Sequence, residues 1–122
     1  MKIKSLLTAL SLLILAAVPA AWAGEIDGKG VWCDRGSNSF GYWFEDGEYF
    51  KYKISGYKIH WYEGAPYKLS GTSTIQLSGA FDTLDRTTLR TAYEQCYLVA
   101  SREELVGILR AIIDKGKAEN KL

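Results

Sequence analysis

The chain opens with a pattern of its own. Lys2 and Lys4 precede an apolar run from Leu6 to Val18 interrupted only by Thr8 and Ser11, and small residues close the stretch at Ala21-Trp22-Ala23. That order is an export signal, with cleavage expected between Ala23 and Gly24 and residues 1–23 removed. The run is too short for a secure bilayer span. No cysteine stands at the junction to take a lipid. The domain that remains, 24–122, is expected to work outside the cytoplasm, in the periplasm or beyond.

From Gly30 onward, aromatic and β-branched residues crowd together, and glycine-containing pairs interrupt them at short intervals. This spacing predicts a mainly β fold, an antiparallel meander sheet or small barrel of about eight strands. The strands are expected near 30–33, 40–44, 48–54, 57–62, 72–77, 81–84, 88–92 and 94–99. Gly64-Ala65-Pro66 reads as a loop, because proline cannot donate to a ladder.

The segment Phe40–Ile54 allows a register to be chosen. A three-residue loop at Glu45-Asp46-Gly47 would pair Phe44 with Glu48, Tyr42 with Phe50 and Phe40 with Tyr52. All the even-numbered rings then share one face, and Trp43, Tyr49, Lys51 and Lys53 share the other. A two-residue Asp46-Gly47 turn would split the aromatics between faces, so the first register is expected. A turn at Ser55-Gly56 would add Tyr57, Ile59 and Trp61 to the inner face and Lys58, His60 and Tyr62 to the outer one. The outer face would then carry a row Trp43–Tyr49–Tyr62 beside Lys51 and His60, and these five residues form the candidate binding surface.

After the strands, Ser101-Arg102-Glu103-Glu104 matches a capping box. Leu105, Ile108, Leu109 and Ile112 recur at helical spacing, which predicts one C-terminal α-helix over about 102–115. Residues 116–122 are polar and expected to fray. The apolar stripe suits packing across the sheet.

Charge adds little pull toward any partner. Without the leader, 13 basic residues face 14 acidic ones, so neither nucleic acid nor an anionic membrane surface is expected as a partner. The only two cysteines, Cys33 and Cys96, read as a disulfide in an exported chain. Closing that loop would stabilise the fold by about 4 kcal/mol in the chain-entropy model. Two distant thiols and one histidine do not make a zinc set, and no calcium loop is present, so no metal or other cofactor is expected.

Catalytic patterns are equally sparse. His60 is the only histidine, no Gly-x-Ser-x-Gly elbow surrounds a serine, and no glycine-rich phosphate loop appears. Asp82 and Asp85 read as hairpin residues, with a turn at Asp85-Arg86-Thr87. The expectation is a non-enzymatic protein. Its surplus is aromatic: after the leader, three tryptophans and eight tyrosines remain. Rings beside lysines suit sugar faces, peptide strands or another protein's anchor residues.

Gly30-Val31-Trp32 at the first strand, followed by a meander and a C-terminal helix, resembles the calycin plan of the lipocalins. In that family such a Gly-x-Trp opens a barrel whose base the tryptophan closes, and the resemblance implies a carrier of a small apolar ligand. The layout, with the polar turn in Leu84–Leu89, also resembles small exported bacterial β-domain proteins without an assigned activity. Three functions therefore stand as expectations. The first is a monomeric binding module for a protein or glycan, using the aromatic–basic face. The second is a calycin-like carrier. The third is an inhibitor of an external hydrolase acting through the 36–39 or 64–67 loop.

Overall fold

A computed structural model describes residues 26–77 and 83–120. The expected leader lies outside the described residues, as does the start of the predicted 81–84 strand.

The main sheet grows from two hairpins whose turns set its character. Strand β1 (Lys29–Cys33) pairs antiparallel with β2 (Phe40–Glu45), which pairs with β3 (Glu48–Ser55). The β2–β3 connection is the two-residue Asp46-Gly47 turn, with both residues at positive φ, 53° and 75°. This is the turn whose twist matches that of the flanking strands, and Asp-Gly supplies it at low steric cost. Phe44 therefore faces Tyr49, Tyr42 faces Lys51 and Phe40 faces Lys53. The three-residue loop and the single aromatic face it would create are corrected. The apolar set does not have to lie on one side, because both sides of this sheet are covered.

The next connection is also two residues, Gly56-Tyr57, again both at positive φ. It pairs Ser55 with Lys58 and Tyr52 with Trp61 in β4 (Lys58–Trp61). The expected Ser55-Gly56 turn is thus displaced by one residue, which slides the register by two and keeps the faces. A tyrosine in the left-handed region is costly. Here Tyr57 receives the end of the helix in return: its hydroxyl accepts from the Asn120 amide, and Lys117 sits 6.0 Å over its ring.

Ala65–Pro66, expected as loop, forms the two-residue strand β5 on the free end of β3, pairing with Glu48 and Tyr49. Proline is tolerated there because the strand lies at an edge. Strand β9 (Cys96–Val99) completes the sheet beside β1. The order β4-β3-β2-β1-β9 leaves β4 and β9 as edges, so the described residues form an open sheet, not a closed barrel. A second sheet holds β6 (Lys68–Ser70), β7 (Thr74–Gln76) and β8 (Thr83–Asp85) in meander order. Instead of the predicted 88–92 strand there is a turn and one isolated bridge, Arg90 to Gln95. Asp85 causes this: its carboxylate accepts from the Thr87 and Thr88 amides, curling the chain. Those bonds hold the Asp85 carboxyl below its usual range, Thr88 contributing most.

Helix α1 (Arg102–Glu119) starts at the predicted cap, where Ser101 Oγ accepts from the Glu104 amide at 3.0 Å. Glu104 reaches back one residue farther than in a capping box, accepting from the Ala100 amide at 2.8 Å. The helix continues a turn beyond the expected end at 115. Its docking on Tyr57 and the Lys115–Glu119 pair at 4.0 Å support that last turn. Leu105, Leu109 and Ile113 are buried against Trp43, Tyr52, Ile54 and Val99. The other side of the sheet packs Val31, Phe44 and Tyr49 against Ile75, Leu77 and Leu84. Three layers result: helix, main sheet, small sheet. No described helix is long and apolar enough to cross a membrane.

Gly30 and Gly41 let the helix layer close. A Cβ at Gly30 would stand 2.5 Å from the Trp43 ring, and one at Gly41 would collide with Leu105 and the Val31 carbonyl. On the opposite side Asp27 ties three elements together. It accepts from the Tyr67 hydroxyl at 2.8 Å and from the Gly47 amide at 3.1 Å. Burial first, then the bonded Asp27 carboxylate, pushes the Tyr67 hydroxyl well above its ordinary range.

Candidate functional site

The small sheet covers only part of its side of the main sheet. Beyond it, the half-buried Lys51 and Lys53, with the buried rings of Phe40 and Tyr42 beneath them, form the floor of a half-open cleft of about 540 Å³. Its register follows from the Asp46-Gly47 turn, which sets Tyr42 opposite Lys51 and Phe40 opposite Lys53. The Lys51 ammonium lies 5.1 Å from the Phe40 ring centre and 5.6 Å from that of Tyr42. Ring quadrupoles attract a cation so placed. Phe40 and Tyr42 themselves meet edge to face.

Two loops form the walls, and each is held by its own side chains. The first follows Cys33. Asp34 accepts from the Gly36 amide, while the fully buried Ser39 hydroxyl donates to the Gly36 carbonyl at 2.7 Å and accepts from the Arg35 amide. This loop brings Arg35 and Asn38 to the cleft. The second precedes Cys96. Thr91 Oγ1 accepts from the Tyr93 and Glu94 amides and donates to the Glu94 carboxylate at 2.5 Å. The Gln95 amide donates to the Thr88 and Cys96 carbonyls. Tyr93 is left 88 % exposed at the rim.

The disulfide joins these walls. Cys33 and Cys96 are directly opposite in the β1–β9 pair and are bonded, as the cysteine count implied. Immediately beyond the bond, Arg35 and Glu94 approach to 3.9 Å. The covalent link therefore sits at the base of the two loops that carry the walls.

Of the five residues expected to form one surface, the structure brings some together and separates others. Lys51 lies in the cleft. Tyr62, 47 % exposed, receives the Lys53 ammonium 5.7 Å over its ring, and its amide donates to the Lys51 carbonyl. His60 is exposed opposite Lys53 on edge strand β4. Trp43 does not belong: the two-residue turn sends it to the other face, where it is 7 % exposed under the helix. Tyr49 keeps the expected face but is buried beneath the small sheet, its ring edge-on to Tyr42. The row Trp43–Tyr49–Tyr62 does not form.

Sequence reasoning rightly placed Phe40 and Tyr42 in the interior, at 7 % and 3 % exposure, but missed that their rings meet Lys51 of the cleft, and it missed Arg35 and Tyr93. The Asp-Gly pair is the signal that would have recovered those ring contacts, since it favours the two-residue turn. The wall loops left a fainter trace: short runs of Asp, Ser and Thr next to each half-cystine, the residues that bond their own backbone.

A second recess, about 400 Å³, lies between the two sheets and is mostly apolar, with Ile26, Val31, Phe44, Ile75, Leu84 and Leu98 among its lining. Trp32 of the Gly-x-Trp stretch lies on the helix side, its ring 5.1 Å from that of Tyr97. In the 64–67 loop Tyr67 is buried on Asp27, so its ring is not available for insertion into a partner. Among the described residues, no three of His, Cys, Asp and Glu gather where a metal ion could sit. No protein-family model matches this chain, and neither a curated protein nor a solved structure is similar to it.

Proposed function

We propose that this is an exported, non-enzymatic binding module that takes its partner at the aromatic–basic cleft. The observation that carries the reading is the Lys51 ammonium held over Phe40 and Tyr42 on the floor of an open cleft. A cation so placed is preorganised for a negatively charged or polar group, which lowers the ordering cost of binding. The disulfide supports export, because such bonds persist where conditions are oxidising. The walls supply hydrogen-bonding groups and one exposed ring, a composition suited to recognition.

A photo-crosslinking amino acid placed at Tyr93, compared with one at Arg110 on the exposed side of the helix, tests this in the native host. A discrete adduct from position 93, lost on Lys51→Glu, is expected. Equal adducts from both positions, or none from either, would contradict the reading.

The apolar recess between the sheets favours a second reading, carriage of a small apolar ligand. Its volume falls at the lower end of the range for small-molecule pockets. Native mass spectrometry of protein purified from its own host would show a reproducible extra mass under this reading, and the bare chain otherwise.

A further inference from the structure

We infer that the cleft is a subsite for a carboxylate-bearing sugar, whose acid group meets Lys51 and Lys53 while its ring lies toward Tyr93. This rests on the binding-module reading and names the ligand class of that site.

The charge balance comes first. Three cations line the cleft, Arg35, Lys51 and Lys53, against Glu94 as the one acidic group among its described lining. Glu94 is already engaged by Thr91 and Arg35. Lys51 and Lys53 are half-buried, two positions apart on one strand, and neither has a carboxylate within ion-pair distance among the described residues. Half-buried cations without a counter-charge favour an anionic ligand, since partial burial strengthens the attraction relative to water.

The remaining lining narrows the anion. Asn38, Ser55 and Thr83 are neutral donors and acceptors, which suit hydroxyl groups. Tyr93 offers a flat ring at the rim, a surface on which the C–H face of a pyranose can lie. A phosphate dianion is best held by a bidentate guanidinium, but Arg35 already faces Glu94. Lys51 and Lys53 can each donate to one oxygen of a carboxylate. The volume, about 540 Å³, falls within the range of small-molecule pockets.

Titration of the disulfide-bonded protein with trigalacturonate, its fully methyl-esterified counterpart and hexaglutamate, followed by ¹H–¹⁵N shifts, tests the inference. Trigalacturonate is expected to move amides in 35–38, 51–53 and 91–94. The ester should bind about tenfold more weakly, the loss of roughly one charge-assisted contact. Lys51→Gln should weaken binding similarly, and Lys51→Arg, which keeps the charge, should restore most of it and report that the fold is intact. Equal binding of acid and ester, tighter binding of hexaglutamate, shifts confined to another face, or no binding would each overturn it. If trigalacturonate fails while the crosslinker at position 93 still traps a partner, the sugar assignment falls and the binding-module reading stands. Failure of both removes both.

Discussion

The two faces of the main sheet both bury rings but cover them with different layers, and only one face also opens onto a cleft. On one face Trp43, Tyr52 and Ile54 lie under Leu105, Leu109 and Ile113 of the helix, and two strand glycines clear the space. On the other, Phe40, Tyr42, Phe44 and Tyr49 are all buried in the core shared with the small sheet, and Phe40 and Tyr42 also lie against Lys51 at an open cleft. Aromatic content alone does not separate core from surface. Coverage by the neighbouring layer does, and the turn at Asp46-Gly47 decides which ring falls under which layer.

Breaking the disulfide should produce the largest change, because it acts on the whole fold and on the cleft walls together. Cys33→Ser with Cys96→Ser is expected to lower unfolding free energy by about 4 kcal/mol in urea melts. The same variant should raise amide exchange in 34–39 and 91–95 more than in the helix. Equal protection in both would detach the walls from the bond.

The faces themselves separate under truncation. Leu109→Ala should cost about 3 kcal/mol, the expected loss for a fully buried leucine. Lys51→Ala on the open side should stay within about 0.5 kcal/mol, as for other surface changes. Comparable losses would mean the cleft is core. Gly41→Ala comes next, at about 2 kcal/mol, because the added methyl must displace Leu105 or the strand.

Smaller effects follow from pH. Tyr67 holds its proton more tightly when folded than unfolded. Its contribution is complete below about pH 10, the ordinary tyrosine value, and is lost as pH rises above it. Tyr67→Phe should flatten that alkaline slope. Asp85 runs the other way: its lowered folded value makes its contribution present above about pH 4 and lost as pH falls further. Asp85→Ala should remove that part of the acid slope in melts between neutral and acid conditions.

Much of this was legible in the chain. Strand-forming segments, the capped helix and the cysteine pair follow from local composition, spacing and count, and those signals need no knowledge of what packs where. The register did not follow, because the choice weighed a one-sided sheet against turn chemistry. With a helix on one side and a small sheet on the other, nothing favoured gathering the rings, and the Asp-Gly turn prevailed. The cleft was legible only in Lys51 and its neighbours, Lys53 and Tyr62. Its walls come from segments more than fifty residues apart, brought together by the bond between Cys33 and Cys96, and no local pattern encodes that meeting.

Hydroxyl-radical footprinting of the oxidised protein, read residue by residue by mass spectrometry, tests the division of the faces most directly. Trp61 and Tyr93, at 61 % and 88 % exposure, should react fast, while Trp43 and Tyr52 stay as protected as Leu109. Trp43 reacting as fast as Tyr93, the exposed ring of the cleft, would return it to the open face and contradict the two-residue turn and the cleft built upon it.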